Sequence, residues 1–191
     1  MKYNISEIFY SIQGEGFHSG TAAWFIRLAG CNLHCDWCDT NHDIKMKLDE
    51  NEIVQQIKNP PLFVVITGGE PTIQDLIPLC TKLKEKKFYI ALETNGTNYL
   101  ALSSLRKLNI IDWITISPKN DNIKETSVFM ANEIKVVYDG KINPNKIPMI
   151  KYKQHKYIQP CSENYDPAVK YVLENPEWKL SVQIQKILNI K

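Results

Sequence analysis

The chain has 191 residues, the length of one domain with a sizeable core, and we predict a single domain over 1–191. A hydrophobic share of 43%, with 10 Pro and 8 Gly, excludes disordered and collagen-like proteins. The formal charge of only +2 argues against nucleic-acid binding. Residues 1–16 lack an export signal and no apolar run is long enough to span a bilayer, so we expect a cytoplasmic protein without a membrane partner.

Strands and helices are predicted in alternation along the chain. Strands are predicted at 5–9, 24–28, 62–67, 88–93, 113–117, 134–138, 157–159 and 180–184. Helices are predicted from Asp49, where Glu52 completes a capping box, after Pro71, over 98–108 and over 166–174. This alternation predicts an α/β fold with parallel strands, and a full barrel of about 250 residues does not fit. We therefore predict a trimmed, incomplete (βα) barrel with about six mostly parallel strands.

Polar segments follow several of the predicted parallel strands at the point where each strand ends. These segments are 31–40, 68–70, 93–96, 117–119 and 159–160. The carboxyl ends of parallel strands meet at one edge of a sheet, which is where such folds bind their ligands. The sequence therefore predicts one pocket formed by separate loops.

The cysteines indicate what this pocket holds. There are five, an odd number, and three of them, Cys31, Cys35 and Cys38, form a CxxxCxxC motif. In a reducing compartment such a cluster is typical of thiolate ligands rather than disulfides. With His34 or His42 as fourth ligand the motif would bind zinc. Without a fourth protein ligand it would hold a 4Fe-4S cluster with one open iron, and spacing alone leaves both possibilities open.

Two motifs together resemble the radical S-adenosylmethionine (SAM) superfamily. The first is the cysteine motif with the aromatic Trp37 before its last cysteine, and the second is Gly68-Gly69-Glu70-Pro71 at the end of the next strand. A closer resemblance, to the 7-carboxy-7-deazaguanine synthases of queuosine biosynthesis, covers most of the chain. It includes 11–16, Arg27, 39–40, 67–71, 93–96, 117–119 and 159–160. The predicted fold is accordingly an incomplete radical SAM barrel.

The resemblance implies a reaction and its cofactors. The family converts 6-carboxy-5,6,7,8-tetrahydropterin to 7-carboxy-7-deazaguanine with loss of ammonia. The ring contraction starts with a 5'-deoxyadenosyl radical and uses a 4Fe-4S cluster, SAM and Mg²⁺. An external reductant of the flavodoxin or ferredoxin type and a homodimer are also implied. We note that the basic segment 141–156 could receive an acidic reductant by charge complementarity.

The same resemblance assigns site residues. Cys31, Cys35 and Cys38 would hold the cluster, and Thr40 would bind Mg²⁺. The implied SAM contacts are Trp37, Cys38, Asp39, Gly69, Glu70, Ser117, Pro118, Lys119 and Gln159. The implied substrate contacts are Ile12, Gln13, Gly14, Glu15, Arg27 and Thr67. One departure concerns the C-terminal segment, where Gln185 stands in place of the histidine that we expect in the family.

The residues themselves permit simpler interpretations. Arg27 lies in an otherwise apolar strand, so it pairs either with a ligand anion or with a structural carboxylate. The segment 13–16 can bind a heterocycle edge or form an ordinary turn. Without the resemblance, Thr40 would be interpreted as a simple cap. Cys80 lies on the apolar face of its predicted helix and is expected in the core, while Cys161 is expected not to be a ligand.

Two alternative functions remain open on the sequence. The first is another small radical SAM enzyme, such as an activase that installs a glycyl radical on a partner protein. Because such an activase has no use for a pterin site, the segment 13–16 and Arg27 favour the synthase. The second is a non-catalytic zinc or iron-sulfur protein, which the Gly68-Gly69-Glu70 motif and the converging loops disfavour.

Overall fold

Strands and helices alternate in the structure, a computed structural model that describes residues 1–58, 60–140, 142–148, 154–162 and 164–191. The strands are β1 (Tyr3–Ile12), β2 (Ala22–Leu28), β3 (Met46–Leu48), β4 (Phe63–Gly68), β5 (Tyr89–Thr94), β6 (Trp113–Ile116), β7 (Glu133–Tyr138), β8 (His155–Pro160) and β9 (Lys179–Leu180). The helices are α1 (Glu50–Gln56), α2 (Ile77–Glu85), α3 (Tyr99–Lys107), α4 (Glu125–Met130), α5 (Tyr165–Glu174) and α6 (Ile184–Ile187). Short 3-10 helices lie at Pro71–Ile73 and Pro144–Lys146.

All strands belong to one nine-stranded sheet with the order β3-β1-β2-β4-β5-β6-β7-β8-β9. β1 is antiparallel to both β2 and β3, and every pairing from β2 onward is parallel. The predicted α/β class with a mostly parallel, incomplete barrel is therefore confirmed. The strand number exceeds about six partly because the edge strand β3, of three residues, is too short to give a sequence pattern.

The outer face of the sheet packs against the helices. Alternate residues of the parallel strands point to this face because successive side chains of a strand point to opposite sides. They form the main core with buried residues of the helices. Its strand members include Ile26, Leu28, Val64, Ile66, Ile90, Leu92, Ile114, Ile116, Ile134, Val136 and Ile158. Cys80 of α2 is fully buried in the same core, as expected from its place on the helix.

The inner face divides into an apolar and a polar half along the strands. Near their amino ends a second, smaller core contains Phe25, Phe63, Val65, Ala91 and Trp113. The loop between β1 and β2 covers this end, and the ring of Phe17 stacks on Trp113 at 4.7 Å. Towards the carboxyl ends the inward-facing residues become polar. This places the polar half where the strand-end loops converge.

Two predicted elements, a helix and a strand, differ from the structure and one helix was not predicted, and each difference has a local cause. The helix predicted after Pro71 is divided into a 3-10 turn and α2. The Gln74 side chain interrupts it by bonding to the Asn4 N–H at 2.9 Å and the Ala29 carbonyl at 3.2 Å. α4, which was not predicted, has six residues, too few for a clear periodic pattern.

The predicted strand 180–184 is wrong beyond Leu180, because Gln183 precedes a helix rather than continuing the sheet. The Ile184 N–H donates to the Gly14 carbonyl at 3.1 Å, which turns the chain towards the inner face. In the basic segment 141–156, residues 141 and 149–153 lie outside the described residues. None of the described helices has both the length and the apolar character needed to cross a membrane.

Candidate active site

The carboxyl ends of the parallel strands surround a cavity of about 760 Å³. This volume lies within the usual range for sites that bind small molecules. The structure brings nearly all of the predicted site residues to its wall. These are Ile12, Gln13, Gly14, Glu15, Arg27, Cys31, Cys35, Trp37, Cys38, Asp39, Thr40, Thr67, Gly69, Ser117, Lys119 and Gln159. Pro118 and Glu70 do not line the cavity.

The cysteine loop, residues 31–42, forms one side of the cavity. It contains no helix or strand, and a turn in which the Cys38 N–H donates to the Cys35 carbonyl at 3.0 Å brings these two residues together. Gly69 allows the loop to approach the end of β4. A Cβ atom at this position would lie 2.1 Å from the Gly30 carbonyl oxygen and 2.8 Å from the Cys31 Cβ.

The three thiols of the loop are free and near one another. Burial raises the pKa of Cys35 and the neighbouring Cys31 and Cys38 thiols raise it further, against the opposing effect of the Lys119 charge. The thiolates therefore need a positive group to neutralise their mutual repulsion. A metal cluster supplies that positive charge, so the chemistry of this donor set fits one.

A single zinc ion and a 4Fe-4S cluster require different arrangements of their ligands. Within the described residues, no group of three or more His, Cys, Asp or Glu side chains could hold one metal ion. A zinc site completed by His34 or His42 would require such a group, because zinc gathers its ligands at about 2.0 to 2.3 Å. In a 4Fe-4S cluster each cysteine binds a different iron, so the three thiols do not have to converge on one metal ion.

Lys119 lies between the cysteine loop and the strand ends. Its ammonium is 5.0 Å from the centre of the Trp37 ring and donates to the Ser117 hydroxyl at 3.1 Å. Burial lowers the pKa of Lys119, and so does the nearby Lys135. Lys119 therefore orders the Trp37 ring by a cation–π contact in a desolvated part of the wall.

Glu70 occupies a different position from the one that the sequence motif suggested. Its carboxylate is fully buried behind the cavity wall. It accepts from the Thr94 hydroxyl at 2.7 Å, from the Asn95 N–H at 2.6 Å and from both the N–H and the hydroxyl of Thr72. In this geometry Glu70 fastens the end of β5 to the turn after β4. Pro118 is likewise buried behind its two lining neighbours.

Residues 13–15 form another part of the cavity wall. The Gln13 side chain donates to Glu93 Oε1 at 2.7 Å and its Oε1 accepts from the Glu15 N–H at 3.2 Å. Gly14 packs directly on Gln185, since a Cβ atom there would lie 1.6 Å from the Gln185 side-chain oxygen. The segment is therefore more than a simple turn, because tertiary contacts fix its side chains.

Arg27 makes a structural ion pair, one of the two interpretations that the sequence left open. Its Nε donates to Glu7 Oε1 at 2.8 Å, and the Lys191 ammonium binds the other oxygen of Glu7 at 2.9 Å. Among the described residues no hydrogen bond involves the two terminal nitrogens of Arg27, although the residue lines the cavity. The guanidinium can therefore keep Glu7 and still bind an anion with its free edge.

The sequence reasoning missed Lys135 of β7, whose side chain is only 4% exposed. Its ammonium pairs with Glu15 and lies 3.4 Å from Glu93 Oε2. We call Glu15, Glu93 and Lys135, with Gln13, the cavity floor. The signal was available in the sequence, because Glu133 and Lys135 alternate with apolar residues in a strand that is otherwise buried.

The fold and the cysteine loop define a radical SAM protein, and the comparison with protein families agrees. The model of the radical SAM superfamily matches residues 25–137 of the chain. That superfamily implies a 4Fe-4S cluster and SAM as cofactors. Neither a zinc protein nor a non-catalytic iron-sulfur protein is favoured by this match.

Within this superfamily the chain belongs to the 7-carboxy-7-deazaguanine synthase family. The 7-carboxy-7-deazaguanine synthase of Bacteroides thetaiotaomicron is 40% identical over 193 residues, which cover the whole of both chains. The synthases of Synechocystis sp. and Buchnera aphidicola are 36% and 34% identical over the whole of this chain and cover 95% and 100% of their own length. A glycyl-radical activase is therefore not favoured.

A solved structure supports the same relationship. The crystal structure of QueE from Escherichia coli is similar to this chain with a TM-score of 0.75 and 27% sequence identity. The similarity covers 96% of this chain and 94% of the other. The trimmed sheet is thus shared with a solved member of similar length.

Proposed function

We propose that this chain converts 6-carboxy-5,6,7,8-tetrahydropterin to 7-carboxy-7-deazaguanine, with loss of ammonia, in 7-deazapurine and queuosine biosynthesis. The observation that carries the proposal is that the cysteine loop, Arg27 and residues 13–15 line the same cavity. A radical cofactor and an anionic heterocycle would then lie side by side. The family relationship supports the same reaction through relatives matched over their whole length.

The cysteine side of the cavity would hold the radical chemistry. When bound, the cluster on Cys31, Cys35 and Cys38 together with SAM supplies a 5'-deoxyadenosyl radical. The chain orients SAM by Trp37, Asp39, Gly69, Ser117, Lys119 and Gln159, which all line this part of the wall. The wall residues also exclude water, since Gln159 is buried and Lys119 is desolvated.

The part of the wall that contains residues 12–15, Arg27 and Thr67 would bind the substrate. Arg27 offers the free edge of its guanidinium to the carboxylate, and such charge-assisted pairs are strong and directional. Residues 12–15 present backbone groups together with the Gln13 and Glu15 side chains to the pterin ring. Thr67, at the end of β4, completes this subsite.

We also propose that Thr40 binds Mg²⁺. Its hydroxyl lines the cavity 3.5 Å from an oxygen of the neighbouring Asp39. Mg²⁺ prefers oxygen ligands and usually keeps several waters, so one hydroxyl and an oxygen of the substrate carboxylate are suitable partners. The prediction is that chelation of Mg²⁺ weakens substrate binding without removing the cluster.

The remaining features of the proposal concern the cellular setting. The enzyme would act in the cytoplasm, where thiols stay reduced and can bind iron. We propose a flavodoxin or ferredoxin as the electron donor, a homodimer as the assembly, and residues 1–191 as one domain. Nucleic acid and membranes are not proposed as partners.

The decisive experiment is anaerobic turnover of the reconstituted, reduced protein. With SAM, Mg²⁺ and carboxytetrahydropterin, 7-carboxy-7-deazaguanine and ammonia should form in equal amounts, as measured by liquid chromatography with mass detection. Iron and sulfide analysis of the same sample should give a four-iron cluster.

Two results would contradict the proposal. A colourless protein that contains zinc after anaerobic purification would exclude radical chemistry. Formation of 5'-deoxyadenosine without the deazaguanine product would show that the enzyme is a radical SAM protein with a different substrate. A reaction without carboxytetrahydropterin is the matched control for uncoupled SAM cleavage.

A further inference from the structure

The cavity floor contains a buried lysine, which is an unusual residue to find inside a parallel sheet. β7 alternates between Ile134 and Val136 on the outer core face and Glu133 and Lys135 on the inner face. An ammonium desolvated to this degree is unfavourable unless carboxylates surround it. The question is therefore what the protein gains from placing Lys135 there.

Lys135 joins two carboxylates from distant parts of the chain. Its ammonium contacts Glu15 Oε2, from the loop after β1, and Glu93 Oε2, from β5, at 3.4 Å in the second case. Their other oxygens are also held within the protein. Glu15 Oε1 accepts from Gln183 at 2.7 Å, and Glu93 Oε1 accepts from Gln13 at 2.7 Å.

The contacts keep the carboxylate of Glu15 ionised. Burial alone would favour the neutral form of Glu15, but the Lys135 charge and the hydrogen bonds outweigh it and lower the pKa of Glu15 to about 2. Burial would likewise lower the pKa of Lys135, yet the carboxylates of Glu15, Glu93 and Glu133 raise it instead. The floor thus holds two acceptor groups for one cation.

The floor is also turned towards the ligand. Glu15, Glu93 and Lys135 all line the cavity, but the side chains of the two glutamates are 13% and 23% exposed, whereas that of Lys135 is only 4% exposed. A bound ligand therefore meets the carboxylates rather than the ammonium. Ionised carboxylates only accept hydrogen bonds, whereas a protonated one would also donate.

We propose that Lys135 is a positioning residue that holds the carboxylates of Glu15 and Glu93 side by side, so that the floor accepts from the N–H groups of a heterocyclic ligand. The inference rests on the proposed function, in which the amino and ring N–H groups of a pterin would face this floor. It assigns the selectivity of the floor to a residue that acts through the two carboxylates it holds.

Replacing Lys135 by methionine tests the proposal, since methionine keeps an unbranched stem of similar length without the charge. The two carboxylates would then lack their shared cation, and one of them should take up a proton. In the holoenzyme we expect the KM for carboxytetrahydropterin to rise on the order of tenfold or more, as for loss of a charged hydrogen bond. The KM for SAM should stay unchanged.

A second measurement does not depend on turnover. Infrared spectra are compared with Glu133→Gln present in every protein, because the raised pKa of Glu133 gives wild type a buried carboxylic acid of its own. In that background Lys135→Met should gain the carbonyl band of a buried carboxylic acid. The double variant Glu15→Gln/Lys135→Met has the net floor charge of wild type, so it should lose this band. The fold increase in its KM for carboxytetrahydropterin should also be smaller than the product of the fold increases measured for Glu15→Gln and Lys135→Met alone.

The controls separate the possible failures. Lys170→Met, at a surface lysine of α5 whose side chain is 78% exposed, should match wild type in every measurement. If wild type forms no deazaguanine, the proposed function fails while the infrared comparison still tests Lys135. An unchanged KM for carboxytetrahydropterin in Lys135→Met, or the absence of a carboxylic acid band that the double variant removes, would overturn the inference.

Discussion

The cysteine loop and the cavity floor face the same cavity but are constructed in opposite ways. The loop has no regular secondary structure between β2 and β3, and Cys38 is exposed. The floor lies on strands of the sheet and on the loop after β1. There Lys135, Glu15 and Glu93 each have hydrogen-bond partners within the protein.

This difference shows how the site divides its tasks. The floor is preorganised by the fold, so it can select a ligand without rearranging. The loop offers three thiols that repel one another as thiolates, and we expect it to gain its order from the cluster. Removing a cysteine of the loop should therefore abolish product formation but leave the fold intact. Changes in the floor, or in the residues packed against it, should instead affect substrate binding and the free energy of unfolding.

The largest effect is expected for Cys35→Ala. Loss of one of three cluster ligands should remove the cluster's visible absorbance and all product formation, because the radical chemistry depends on it. Far-ultraviolet circular dichroism and the thermal midpoint of the cluster-free protein should stay close to those of cluster-free wild type. Cys80→Ala would behave in the opposite way, with the cluster retained and stability reduced, since Cys80 is buried in the main core. Global unfolding of Cys35→Ala would contradict the separation of loop and fold.

Arg27→Ala should give the next largest effect. Loss of a charge-assisted contact to the substrate carboxylate should raise the KM for carboxytetrahydropterin by about 10-fold to 100-fold and leave the cluster intact. Glu7→Gln is the matched comparison, because it weakens the ion pair at 2.8 Å without removing the guanidinium. If both variants lose stability equally and neither changes the KM, the role of Arg27 is structural only.

The cysteine loop was predictable from the sequence, whereas the ion pairs of the cavity floor were not. The cysteine loop and the strand-end segments were placed correctly because their motifs are local and follow recognisable strands. Gln13 and Glu15 were predicted as site residues, but Lys135 and its ion pairs were missed because the paired residues are far apart in the chain, with Glu15 and Lys135 separated by 120 positions. Local patterns also failed at residues 181–184, where Gln183 bonds to Glu15 and the chain turns away from the sheet.

Glu70 lies behind the cavity wall, so we expect its removal to affect the stability of the fold. Glu70→Ala would leave the buried N–H of Asn95 and the hydroxyl of Thr94 without their acceptor. We expect a loss of about 3 kcal/mol in the free energy of unfolding, measured by urea denaturation, because unsatisfied buried donors are costly. The exposed Glu174→Ala is the control and should change stability by about 0.5 kcal/mol or less. A similar small value for Glu70→Ala would contradict the fastening role assigned to this carboxylate.

The smallest expected effect is the contribution of Glu133 to the free energy of unfolding, which depends on pH. Burial raises the pKa of Glu133 to about 7, and the Glu93 charge adds to this, although Lys135 and the Phe17 N–H oppose it. The folded state therefore holds this proton more tightly than the unfolded state, where the pKa is near 4.5. The resulting stabilisation is complete below about pH 4.5 and is lost as the pH rises through about 7, with a size of about 1 to 3 kcal/mol.

Glu133→Gln isolates this contribution, because a neutral amide cannot titrate and other groups such as His18, whose pKa is lowered by burial, cancel in the comparison. Urea denaturation between pH 5 and pH 8 should show the wild type losing stability relative to the variant as the pH rises. The absorbance of the cluster should not follow this change, because Glu133 lies at the amino end of β7 and does not line the cavity. A constant difference in the free energy of unfolding between the two proteins over this pH range would mean that Glu133 stays ionised in the fold. A loss of cluster absorbance in parallel with the loss of stability would mean that the floor and the cysteine loop are coupled.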